Sequence, residues 1–126
     1  MKRTALCAVL TISLSVLAAE PDAVARKEIE HLVNHLATSG CQFNRNGTWY
    51  DAARAVSHLK RKYEYLLDRN LVPTAEAFIE GAASESSASG KAYLVKCPGQ
   101  TQSRSADWFR AELEKFRAES SATKRP

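Results

Sequence analysis

His31 and His35 stand four residues apart, the spacing at which two imidazoles on one helix face can grip a metal ion, and Glu28 lies one turn earlier. Cys41 and Cys97, committed to a bridge, are not free to complete such a site. The set therefore reads as a solvated helix face opposite Leu32 and Leu36, and no metal is expected. Ser57-His58-Leu59-Lys60 contains Ser-x-x-Lys, a spacing that can present a nucleophilic serine beside a lysine. The Lys-Thr-Gly element that accompanies it in such enzymes is missing, and chance accounts for the match. Ser89-Gly90-Lys91 lacks the first glycine and the Lys-Ser/Thr ending of a phosphate-binding loop, and it leads into a strand rather than a helix. Asn46-Gly47-Thr48 is formally a glycosylation acceptor. Arg54, Lys60, Arg61 and Lys62 gather positive charge on one segment, either as a solvated helix face or as a contact for an anionic partner. No cofactor motif is present, and none is expected.

The elements that carry these residues follow from apolar spacing and from stop signals. Pro21 and Asp22 open a helix to Thr38 whose Ala25, Ile29, Leu32, Val33 and Leu36 form one buried stripe. Gly40 ends it. Cys41–Arg45 is extended, and Asn46-Gly47 marks a turn. Thr48 then caps a second helix, Trp49 to Arg69, with a core stripe of Ala52, Val56, Leu59, Tyr63 and Leu66. Arg54, His58, Arg61 and Tyr65 lie on its other side. Asn70 and Pro73 stop it, and Thr74 caps a third helix, Ala75–Ala83, with Phe78, Ile79 and Ala82 inward. Ser84–Gly90 is a serine-rich loop. Ala92–Cys97 reads as a strand with Tyr93 and Val95 on one face. A last helix, Ser105–Ala118, carries Trp108, Leu113 and Phe116 inward, and residues 120–126 form a flexible tail.

Lys2 and Arg3 precede an uncharged apolar run, Thr4–Leu17, and Val16-Leu17-Ala18 supplies a cleavage site. The run is shorter than the roughly 20 residues of a spanning helix. Residues 1–18 are therefore expected to be a cleaved signal peptide, residues 19–119 a single globular domain, and the mature chain free of a transmembrane segment. Removing Lys2 and Arg3 from 18 basic residues leaves an excess of two over 14 acidic ones. That small excess argues against nucleic acid as a partner. Cys41 and Cys97 remain after cleavage, and in an oxidising compartment an even pair forms a structural disulfide. A redox pair would more usually be spaced Cys-x-x-Cys. The expected architecture is α+β and mainly helical. It has about four helices packed with a short two-stranded antiparallel ribbon, Cys41–Arg45 against Ala92–Cys97, and one disulfide.

Three stretches together resemble the YfeK-like proteins, small exported bacterial proteins with a domain of unknown function. They are Ala55-Val56-Ser57-His58-Leu59-Lys60-Arg61-Lys62, Thr74-Ala75-Glu76-Ala77-Phe78-Ile79, and the run from Ala83 through Ser89-Gly90-Lys91-Ala92 to Tyr93. Phe43-Asn44-Arg45-Asn46-Gly47 is similar to the segment before the second helix in that family. The resemblance covers roughly Cys41–Pro98. It implies a Gram-negative periplasmic protein and carries over no catalytic residue.

The resemblance also points to a polar set that packing alone does not require. Its candidate binding residues are His58, Lys62, Ser87, Ser89 and Tyr93. Lys62 offers a cation, His58 a group expected to titrate near neutrality, and the hydroxyls adaptable hydrogen bonds. Such a set suits an anionic or sugar-like ligand, an unknown envelope ligand or protein. It holds no evident activated nucleophile. The leading expectation is a non-enzymatic binding or accessory protein of the bacterial envelope. The alternatives are an envelope-polymer hydrolase with His58 as base, and an inhibitor or immunity protein acting through the serine-rich loop. The structural alternative for the set is that His58 and Tyr93 merely bond each other or the loop backbone.

Overall fold

A computed structural model of the chain describes residues 20–124 together with Thr4, Ala5 and Ala8. The rest of the expected signal peptide lies outside the described residues. Asp22 accepts a hydrogen bond from the Ala25 amide and caps helix α1, Ala23–Thr38. The chain then forms strand β1, Gln42–Arg45, and strand β2, Thr48–Tyr50. Helices α2, Ala52–Asp68, and α3, Ala75–Ala82, follow. Strands β3, Leu94–Lys96, and β4, Ser103–Arg104, lead directly into helix α4, Ser105–Thr123. The fold is α+β, and the Cys41–Cys97 disulfide is formed.

The sheet is larger than the expected ribbon. Its four strands run in the order β2-β1-β3-β4, all neighbours antiparallel. Phe43 sits opposite Tyr50 on one side and Val95 on the other. The second helix does not begin at Trp49 under a Thr48 cap. Asn46 and Gly47 take positive φ of 53° and 84°, the pair of left-handed residues that a two-residue type I′ hairpin needs. That turn folds Thr48–Tyr50 back along β1, where β-branched and aromatic side chains suit a pleated surface. Asp51 caps α2 instead, accepting from the Arg54 amide at 2.8 Å. β3 is shorter than the expected Ala92–Cys97 strand, with Ala92 in an isolated bridge to Glu85. α4 continues to Thr123, past the expected end at Ala118 and into the stretch expected to be a tail.

Three helices bury the faces their spacing dictates. The whole expected stripe of α1 is buried, as are Phe78, Ile79 and Ala82 of α3. On α2 the buried residues are Ala55, Leu59 and Leu66, with Val56 and Tyr63 packed partly against them. Asn70, at a φ of 55°, ends α2 in a left-handed cap whose Leu71 amide returns to the Leu66 carbonyl at 2.9 Å. On α4 the core position falls to Phe109 and Leu113, while Trp108 and Phe116 lie at the rim. A charge cluster around the buried Glu28 joins α1, α3 and α4. Arg117 holds both oxygens of the buried Glu28 at 2.7 and 3.0 Å and also pairs with Glu76. No described helix is long and apolar enough to cross a membrane.

Candidate functional site

Strand periodicity and one helix face meet at a groove beside the serine-rich loop. On β1, Phe43 and Arg45 share a face, so the core contact of Phe43 carries Arg45 toward α2. Continuing the β1–β3 register by one residue sets Arg45 opposite Tyr93. On α2, His58, Arg61, Lys62 and Tyr65 recur at helical spacing and face the same hollow. The loop closes the far wall with Ser86, Ser87 and Ala88. The groove has a volume of about 580 Å³. A smaller hollow of about 120 Å³ lies beside it, sharing Arg45, His58 and Arg61 and adding Tyr50 and Arg54.

Tyr93 is buried, and its hydroxyl organises the floor. Lys62 Nζ donates to Tyr93 Oη at 3.3 Å, and His58 Nε2 lies 3.1 Å from the same oxygen. Lys62 can only donate, so Tyr93 Oη accepts from it and keeps its own hydrogen to offer to Nε2 of a neutral imidazole. Electrostatics agree. Desolvation, then the positive charges of Arg45, Lys62 and Arg61, push the His58 pKa from 6.5 down to about 4. His58 is therefore neutral near pH 7 and does not titrate there as expected from its residue type. Desolvation and Arg45 also lower the Lys62 pKa, opposed by Glu85. Burial raises that of Tyr93.

The serine-rich loop is tied down rather than loose. Lys62 Nζ donates to the Glu85 carbonyl at 3.1 Å. Asn46, at the hairpin tip, donates through Nδ2 to Ser86 Oγ at 3.3 Å and accepts from Ser89 Oγ at 2.6 Å. Thus, of the expected set, His58 and Lys62 both come within hydrogen-bonding distance of Tyr93, and Ser87 lines the groove. Ser89 turns to Asn46 and does not line it. Sequence reasoning missed Arg45, Asn46 and Ser86 as residues of this site. The alternation from Phe43 to Arg45 was the available signal for the first of them.

The other expected features resolve differently. His31 and His35 do not form a solvated face: Glu112 on α4 lies 2.8 Å from His31 and 3.5 Å from His35. Their rings pack on Phe116 and Trp108, with centroids 4.0 and 4.7 Å apart. They join α1 to α4. Among the described residues no three His, Cys, Asp or Glu side chains form a metal-binding group. The basic patch divides, Arg54, Arg61 and Lys62 lining the two hollows while Lys60 lines a separate one with Arg26 and Glu30 of α1. A separate hollow of about 490 Å³ between α1 and α4 contains Glu28 and Arg117, whose charges already satisfy each other.

The comparisons with known proteins cover most of this frame. The profile of a "Family of unknown function (DUF5329)" matches residues 23–117, from the start of α1 to the Arg117 cluster. The chain is 39% identical over 89 residues to "Uncharacterized protein YfeK" of Salmonella typhimurium, covering 69% of this chain and 72% of that one. No solved structure matches it. The chain belongs to this YfeK-like family of unknown function.

Proposed function

We propose that the protein is an exported, non-enzymatic binding protein of the bacterial envelope that holds an anionic ligand in the groove between α2 and the serine-rich loop. One observation carries this reading. Arg45, Arg54, Arg61 and Lys62 surround a neutral His58, and among the described residues none of the four forms a salt bridge. Glu85 is the acid whose charge acts on Lys62. Cations crowded into a partly desolvated groove repel one another, and an anion relieves that repulsion through charge-assisted hydrogen bonds. Binding is favoured over hydrolysis because Nε2 of His58 is engaged by Tyr93, and among the described residues no hydroxyl or thiol other than that phenol bonds to it. Periplasmic location rests on the tripartite leader and on the kinship with the YfeK-like family.

Calorimetric titration with inorganic phosphate at pH 7 tests the reading. The wild-type chain should bind, and the Arg45→Ala/Arg61→Ala double variant should lose about 2–3 kcal/mol of affinity. Equal heats for both proteins, or none for either, would sink it. The anchoring of the loop by Asn46 also fits an inhibitor that presents a rigid loop to an enzyme. Under that reading phosphate binding is absent and Ser87 substitution abolishes the protein contact.

A further inference from the structure

We propose that the ligand is a phosphorylated sugar, its phosphoryl group in the small hollow and its ring in the larger one; this rests on the anion-binding reading above. The two hollows differ in chemistry. The smaller, about 120 Å³, is walled by Arg45, Arg54 and Arg61 with Tyr50 beside them. Three guanidinium forks offer more donors than the two oxygens of a carboxylate can use, whereas a phosphoryl group carries three acceptor oxygens and a charge near two at neutral pH. The larger hollow, about 580 Å³, is lined beyond the shared Arg45 and Arg61 by one further cation, Lys62, and by Tyr65, Tyr93, Ser87 and Ala88. It has room for an organic body that the smaller one lacks.

Tyr65 supplies the platform. It is 54% exposed, unusual for a large ring, and Arg69 stacks on it at 3.6 Å and donates to its backbone carbonyl. That stack holds the ring in place, and Tyr65 lines the groove. An aromatic face beside exposed hydroxyls matches the apolar face and hydroxyl rim of a sugar, with Ser87 free to exchange hydrogen bonds. Arg45, His58 and Arg61 stand at the junction of the hollows, so the phosphoester oxygen falls between them. Neither a bare anion nor a neutral sugar uses both hollows.

Titration at pH 7 with inorganic phosphate, glucose and glucose 1-phosphate separates the claims. Glucose 1-phosphate should bind at least about tenfold tighter than phosphate, and glucose should give no signal. Tyr65→Ala should bring glucose 1-phosphate down to the level of phosphate, and Arg54→Ala should weaken both. Phosphate and glucose 1-phosphate binding equally would overturn the sugar claim and leave the anion site standing. Failure of both would remove the anion site itself. Phosphatidylcholine vesicles doped with phosphatidylinositol distinguish the source of the group. Their retention of the protein supports a lipid headgroup, and binding of the free compound alone supports a soluble ligand.

Discussion

The imidazole of His58 on α2 and the phenol of Tyr93, just before β3, meet at 3.1 Å with their rings nearly perpendicular. This contact joins the helix to the sheet at the floor of the groove and fixes the state of His58. A neutral imidazole accepts the phenol hydrogen; an imidazolium could not, and it would face Arg45, Lys62 and Arg61 as a further positive charge.

The first prediction is a pH dependence. The folded-state pKa of His58, about 4, lies below its ordinary 6.5. The unfolded chain therefore takes up a proton at a pH where the folded one does not. The stability His58 confers is intact above pH 6.5 and is lost as pH falls from 6.5 through 4. For a partly exposed imidazole the loss amounts to about 1–2 kcal/mol. Urea unfolding of wild type and His58→Gln at pH 7.5 and 4.5 checks this. The wild-type advantage should shrink by that amount on acidification, and parallel losses would contradict it.

Arg117 should matter far more than its exposure suggests. Arg117→Met leaves the carboxylate of Glu28 buried without its two donors and frees Glu76 as well. The expected destabilisation is about 2–3 kcal/mol in denaturant unfolding. The double change Glu28→Gln/Arg117→Met should recover part of it, because the buried charge is then gone. A single variant within a few tenths of a kcal/mol of wild type would show the cluster to be dispensable.

Reduction of the Cys41–Cys97 bridge should lower stability by up to about 4 kcal/mol, since it closes a loop of sequence separation 56. Alkylation of oxidised protein without reductant should label neither cysteine. Full labelling, with a melting temperature indifferent to reductant, would contradict the bond.

How much of this was legible in the sequence depends on the length of the pattern. The α1 stripe, Ala25 to Leu36, spans about three turns, and every expected core residue is buried. Tyr93 and Val95 alternate as a strand should, and both are buried. β2 and β4 are three and two residues long, too short for any periodicity to register. For β2 the Asn46-Gly47 pair was the stronger evidence, since both positions hold positive φ, and it outranks the capping signal of Thr48. His31 and His35 were legible as a shared face but not as a helix contact. Their partners Glu112, Phe116 and Trp108 arrive from α4, whose inward face is irregular in sequence. Arg45 was legible only through its alternation with Phe43, on a strand that lies inside a sheet the sequence shows in part.

The exported form should begin at or within about two residues of Ala19, as expected for a leader ending in Val16-Leu17-Ala18. Intact mass of periplasmic material starting at Met1 would refute cleavage.

The central claim, that the groove holds an anion, is tested most directly by following the His58 ring resonances during a pH titration with and without saturating sulfate, an anion whose charge stays constant over the range. Bound anion beside the imidazole offsets Arg45, Arg61 and Lys62, so the midpoint should rise from about 4 by at least roughly one unit, while the His35 resonance, remote from the groove, keeps its own. A His58 midpoint unmoved by sulfate, or a shift of equal size at His35, would contradict an anion site in this groove.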